Sequence, residues 1–202
     1  MPKGWIRQRK QDYFYRRAKE EQLRSRAAYK LLEAIEKYGL IRLGDVVVDL
    51  GAAPGGWMQA SLRVVGESGF VLGIDVNFIE PLEAENTRSI VLDITERDVV
   101  DVVRGFLPDG LADVVVSDVS PNISGVWEVD HGRQVDLARR SLFVACSVLK
   151  KGGNFFCKAF QGDMLDHFVF EVKREFPVVR FLKPKATRKK SSELFVLGLD
   201  KV

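Results

Sequence analysis

Cysteine and histidine are scarce in this chain, with two of each in 202 residues. Cys146 and Cys157 lack CxxC spacing and are too few for a disulfide framework, which fits a reducing compartment. Both lie in apolar surroundings and read as small core residues. His131 and His167 have no Cys or His partner at ligand spacing, so no metal is expected. Long apolar runs are also missing. Stretches such as 45–50 and 113–116 are strand-sized, and none approaches the roughly 18–20 residues a bilayer requires. The opening Met-Pro-Lys-Gly-Trp has no apolar export segment behind it. The expectation is a cytoplasmic monomer without membrane contact. There is no internal repeat, low-complexity tract or Pro/Gly/Ser-rich linker. Residues 1–202 are therefore expected to form a single domain, with a basic helical extension at about 1–38.

What the chain does have is charge, unevenly placed. The net charge is only +3, yet residues 3–30 carry a net of +7, residues 173–190 another +7, and the body 31–172 carries −10. Two basic ends around an acidic body suggest a polyanion held by the ends and small-molecule chemistry in the middle. Trp5, Tyr13, Phe14, Tyr15 and Tyr29 interleave with the N-terminal charges, a pairing suited to stacking and phosphate contact.

Hydrophobic periodicity predicts an exposed helix over 12–24. A second helix, N-capped by Ser25 and ended by Gly39, carries Ala28, Leu31, Leu32 and Ile35 on one face. Strands are expected at Val46–Leu50, Phe70–Asp75, Ser89–Asp93, Ala112–Asp118 and Asn154–Ala159, with helices near 56–65, 78–86, 96–106 and 132–149 between them. This is repeated βαβ, hence an α/β fold with a mostly parallel sheet and helices on both faces. A helix near 163–175 precedes two strands, Val178–Leu182 and Glu193–Gly198, whose polar connection predicts an antiparallel pair.

The first strand ends in Asp49-Leu50-Gly51-Ala52-Ala53-Pro54-Gly55-Gly56-Trp57 and runs directly into a helix. A loop of small residues in this place lets a ligand approach the backbone closely. It is neither GxGxxG nor a Walker A loop, which disfavours dinucleotides and nucleoside triphosphates. Three further strands end in acids, Asp75, Asp93 and Asp118. An acid closing the second strand can accept hydrogen bonds from both ribose hydroxyls, and Asp93 is placed to accept from an exocyclic amine. Carboxylates repel phosphate, so a nucleoside cofactor without a polyphosphate is indicated.

The chain resembles the FtsJ/RrmJ family of RNA ribose 2′-O-methyltransferases. The likeness rests on Leu23-Arg24-Ser25-Arg26-Ala27, Lys30-Leu31, the loop 48–57, Ser117-Asp118-Val119-Ser120-Pro121-Asn122-Ile123-Ser124-Gly125, Lys158-Ala159-Phe160-Gln161-Gly162 and Arg188-Lys189-Lys190-Ser191-Ser192-Glu193-Leu194-Phe195. Ser120 and Ala159 depart from the bacterial rRNA enzymes, which usually carry Ala and Val. The resemblance implies a Rossmann-like seven-stranded methyltransferase sheet with an antiparallel last strand, and S-adenosyl-L-methionine as cofactor. Its implied contacts are Gly51, Ala52, Pro54, Gly55, Gly56, Trp57, Asp75, Asp93 and Asp118. It also implies a catalytic set of Lys30, Asp118, Lys158 and Glu193, and an RNA substrate. The substrate it suggests first is a uridine of large-subunit rRNA; tRNA anticodon-loop riboses and mRNA caps are the alternatives within the family. Arg24, Arg26, Lys183, Lys185, Arg188, Lys189 and Lys190 are the expected RNA path.

Ribose methylation needs an oxygen nucleophile, and a hydroxyl is a very weak acid. A lysine amine is ordinarily protonated, near pKa 10.4, and burial or a neighbouring cation favours its neutral, basic form. Lys158 is the candidate base, with Asp118 and Glu193 orienting the amines. Base methylation fits poorly, since neither cysteine lies in a Pro-Cys motif and Asp118-Val119-Ser120-Pro121 lacks the paired prolines of amine methyltransferases. A non-catalytic RNA-binding module is the remaining alternative.

Overall fold

The computed structural model describes residues 12–188 and 191–202. Trp5, Lys189 and Lys190 lie outside them. Thirteen elements are described: α1 Tyr13–Glu20, α2 Ala28–Tyr38, β1 Val46–Leu50, α3 Gly56–Val65, β2 Phe70–Asp75, β3 Thr87–Val91, α4 Val99–Phe106, β4 Ala112–Ser117, α5 Trp127–Val148, β5 Leu149–Phe160, α6 Leu165–Glu175, β6 Val178–Leu182 and β7 Glu193–Leu199. The seven strands form one sheet in the order β3-β2-β1-β4-β5-β7-β6. All pairings among β1 to β5 are parallel, and β7 runs antiparallel to both β5 and β6. The expected α/β sheet with a reversed last strand is therefore present.

Both faces of this sheet are covered, which is why its central strands are apolar almost throughout. In β4, Val115 packs toward α4, α5 and α6, while Val114 and Val116 pack toward α1, α2 and α3. The N-terminal helices are part of that second core: Ala28, Leu31 and Ala34 are fully buried. Tyr29 is buried too, against Phe14. It is a packing residue and not the exposed stacking aromatic expected from its basic neighbours.

Gly39 ends α2 in the left-handed conformation, φ 60°, as anticipated. Ser25 does not cap this helix. Its Oγ accepts from the Ala27 N–H, making a turn, and α2 begins at Ala28 with no side-chain cap. The turn brings Ser25 so close to Gly56 that a Cβ there would lie 2.8 Å from the serine Cβ. The helix expected over 78–86 is absent. The segment is irregular, and its carbonyls at Glu80 and Pro81 accept hydrogen bonds from the Arg24 guanidinium instead of from helical amides. Pro81 supplies no amide of its own. The remaining elements fall within a few residues of expectation, except that α5 starts at Trp127 and β5 at Leu149, both earlier than periodicity indicated.

The order β2-β1-β4 places a topological switch point between β1 and β4. There the loops after both strands diverge and leave a cleft at their carboxyl ends.

Candidate active site

A cleft of about 440 Å³ opens at that switch point, lined by Gly51, Ala53, Asp75, Asn77, Asp93 and the segment 118–122. Gly51 is required here on two counts. Its φ is +77°, and a Cβ would lie 2.9 Å from the Val119 backbone nitrogen. Asp75 Oδ2 accepts from the Ala53 N–H at 3.0 Å, so the glycine loop and the end of β2 are tied together. Asp75 Oδ1 accepts from the Asn77 backbone and side-chain amides at 2.8 and 2.9 Å. Asp93 lies two residues past β3, and its Oδ1 is held by the Thr95 amide and hydroxyl. A carboxylate has about four acceptor sites, so both acids keep capacity for hydroxyl or amine donors. The donor-hungry, anionic lining suits a nucleoside and rejects a polyphosphate.

The small-residue loop divides between two tasks. Gly51 and Ala53 line the cleft and also a small hollow beside it, which Ala52, Pro54, Gly56 and Trp57 line with Ser25 and Asp118. Trp57 is turned inward: its indole N–H donates to the Ala27 carbonyl at 2.7 Å, and its ring packs on Phe156 and Phe195. At Gly55, φ +104°, a Cβ would lie 2.9 Å from Arg24 Nη1. The same guanidinium donates to the carbonyls of Pro54, Glu80 and Pro81. Arg24 is thus a clasp between two loops, with much of its donor capacity used inside the protein.

Three residues distant in sequence converge beside Asp118. Lys30 projects from α2, Lys158 from β5 and Glu193 from the start of β7. Lys30 Nζ lies 2.7 Å from Glu193 Oε1 and 3.9 Å from Asp118 Oδ2. Lys158 Nζ lies 3.1 Å from Asp118 Oδ1 and donates to the Asp118 carbonyl at 2.7 Å. Asp118 therefore stands between the two amines. Glu193 is further held by the Thr187 hydroxyl at 3.1 Å, and the Lys158 carbonyl accepts from the Gln134 amide at 3.2 Å. Lys158 is buried, and Phe195 packs under Lys30.

Behind the loop, Asp49 has no solvent exposure, and neither carboxylate oxygen has a hydrogen-bond partner of normal geometry. Burial first, then the charges of Asp118 and Asp75, push its carboxyl well above the usual carboxylate range. An acid inside Val-Val-Val-Asp-Leu is itself a signal in the sequence, and no role was assigned to it. Lys19, in a segment that reads in sequence only as charged and exposed, lines a groove of about 510 Å³ beside the site with Arg24, Arg26 and Arg188. Arg26 is pinned by an ion pair to Asp12 and a bond to the Ala186 carbonyl. Lys183, Lys185 and Arg188 are exposed on the adjoining loop. Burial pushes the thiols up, Cys146 to about 11 and Cys157 to about 12, which suits neither to nucleophilic work. Among the described residues no cluster of three His, Cys, Asp or Glu side chains could hold a metal, and no helix is long and apolar enough to cross a membrane.

Comparison with known proteins adds three findings. The family model described as FtsJ-like methyltransferase matches residues 23–201. The chain is 47% identical over 196 residues to the ribosomal RNA large subunit methyltransferase E of Methanococcus aeolicus, covering 97% of this chain and 72% of that one. It is 46% identical over 200 residues to the protein of the same name from Methanothermobacter thermautotrophicus, covering 99% and 94%. Among solved structures it is similar to a Plasmodium falciparum protein assigned as a ribosomal RNA methyltransferase, with TM-score 0.77, 24% identity and coverage of 88% and 98%. It is also similar to Aeropyrum pernix fibrillarin, solved with natively bound S-adenosyl-L-methionine, with TM-score 0.58, 13% identity and coverage of 87% and 75%. At those identities the structural likeness is one of fold.

Proposed function

The chain belongs to the FtsJ-like methyltransferase family, and on that premise we propose that it moves a methyl group from S-adenosylmethionine to a ribose 2′-hydroxyl of ribosomal RNA. The observation that carries the reading is the convergence of Lys30, Lys158 and Glu193 around Asp118, which lines the acidic cleft. Asp75 and Asp93 would hold the cofactor's ribose and adenine, and Gly51 would let its chain pass close to the backbone. When bound, S-adenosylmethionine supplies a methyl carbon made electrophilic by the sulfonium.

The protein's part is to position and deprotonate the attacking oxygen. Lys158 would accept the 2′-hydroxyl proton, freeing that oxygen to attack the methyl group that a bound S-adenosylmethionine would supply. Lys30, held by Glu193, stabilises the negative charge that develops on that oxygen. Asp118 fixes the spacing of the two amines, so the nucleophile meets them in a set geometry. Substrate phosphates would follow the groove of Lys19, Arg26 and Arg188. The names of the relatives point to large-subunit ribosomal RNA, and the family likeness alone suggests a uridine within it.

The test is label transfer from methyl-labelled S-adenosylmethionine to large-subunit rRNA, tRNA and cap-bearing mRNA, followed by nucleoside analysis. Label recovered in a 2′-O-methyluridine of the rRNA is the expected result. Label in a base, or on no RNA, overturns the reading.

A further inference from the structure

Beside the four converging residues lies a group of aromatic rings that the chemistry above does not use. Trp127 opens α5, and its ring lies nearly parallel to that of His131 (13°, centroids 5.4 Å) and of Phe160 (17°, 6.1 Å). His131 is buried, yet Trp127 is 45% exposed, with Ile123 and Val126 exposed just before it. Tyr13, Phe78, Phe143, Phe170 and Phe181 are exposed as well, and what distinguishes Trp127 is that it stacks on two further rings beside the four converging residues.

The ledge is built and held. Asp130, itself buried, accepts from the Ser124 N–H at 2.8 Å and the Gly125 N–H at 3.0 Å, pinning the preceding loop to the first turn of α5. His131 Nε2 accepts from the Met164 N–H at 3.2 Å. Gly162 admits the imidazole, since a Cβ there would stand 2.7 Å from two of its ring atoms. Its position is equally specific. Phe160 follows Lys158 by two residues and pairs in register with Glu193, so the ledge begins at the rim of the catalytic set. The segment 118–122, which walls the cofactor cleft, leads straight into Ile123 and Val126.

We propose that Trp127, with Phe160, is a stacking platform for an unpaired base of the substrate RNA, either that of the methylated nucleotide or its neighbour. This rests on the RNA-methylation reading above. A flat π surface accepts any base face, and parallel rings add one more rung without hydrogen-bond readout. A single-stranded nucleotide brings its ribose to the lysines only if its base leaves the helical stack, and the ledge gives that base somewhere to go. Trp127 is thus a positioning residue for substrate and takes no part in the chemistry.

The experiment uses the full chain and a short RNA hairpin carrying the nucleotide found by mapping. Trp127→Ala should raise the KM for RNA about ten- to a hundredfold and leave S-adenosylmethionine affinity within about twofold. Its salt dependence of RNA binding should stay parallel to wild type, because no phosphate contact is lost. Trp127→Phe should recover most of the affinity, which keeps the question open to an answer if the alanine variant melts early. An abasic residue at the stacked position should weaken wild-type binding similarly, and weaken the alanine variant little further. An unchanged KM in Trp127→Ala, or full additivity with the abasic RNA, overturns the platform. Wild-type protein that methylates no ribose would instead overturn the function on which it rests.

Discussion

Two surfaces meet at Asp118 and differ in almost every respect. On one side the cleft at the ends of β1 to β3 is acidic and built from backbone turns that tolerate only small residues at Gly51. On the other, the groove at α1, α2 and the loop before β7 is basic, with Lys19, Arg26, Arg188 and Lys30 along it. A carboxylate lining selects neutral donors, hydroxyls and amines; a guanidinium and ammonium lining selects phosphates. One site for both partners would have to compromise. On the proposed reading, separate sites would let cofactor and polyanion bind side by side, with the reacting atoms at the seam.

Independent response of the two sides is what variants should reveal, and the seam itself should respond most. Lys158→Ala is expected to reduce methyl transfer by about 10²–10⁴, the usual reach of a general base, while calorimetry shows cofactor binding retained. Near-normal turnover would remove Lys158 from the chemistry. On the acidic side, Asp75→Ala should weaken S-adenosylmethionine about ten- to a hundredfold, since hydrogen bonds to a charged group contribute about 1.5–3 kcal/mol. RNA affinity, measured by filter binding, should not follow it; a parallel loss would mean the two sites are one. On the basic side, Arg188→Ala should lower RNA affinity severalfold and reduce the salt slope by about one, with cofactor affinity unchanged.

The smallest effect is a matter of stability. Asp49 has a folded-state pKa raised above its unfolded one, so the folded protein holds a proton that the unfolded chain releases. Its contribution is therefore lost as pH rises from about 4 toward the folded pKa. Asp49→Asn should remove that decline, raising the urea midpoint near neutrality more than at pH about 4. A pH profile parallel to wild type would show that Asp49 ionises as freely in the fold as outside it.

Much of this comparison was legible in the chain. The acidic cleft was readable because its parts are local: a run of small residues after a strand, and acids closing the strands that follow. Segregated charge likewise pointed to a polyanion. The expected helix over 78–86 failed because composition cannot foresee that Arg24, more than fifty residues earlier, takes the Glu80 and Pro81 carbonyls. Arg24 itself was expected along the RNA path, as a surface charge. Its donors largely go inward, which is a fact about neighbours and not about arginine. The family likeness places Trp57 at the cofactor; the fold packs its ring against Phe156 and Phe195 while leaving it on the wall of the small hollow beside Asp118. Lys19 was hidden inside a helix read only as charged and exposed.

By itself, then, the sequence determined the alternation of strand and helix, the direction of the last strand and the place where a ligand loop must sit. These follow from periodicities and backbone restrictions acting over a few residues. Tertiary structure alone decided which charges face each other. Successive members of the set Lys30, Asp118, Lys158 and Glu193 lie 35 to 88 positions apart, and the paired Lys30 and Glu193 lie 163 apart; only the sheet order and the packing of α2 bring them within ion-pair distance. It likewise decided that Trp127 stands open beside them while Trp57 is buried, because exposure is a property of what surrounds a side chain.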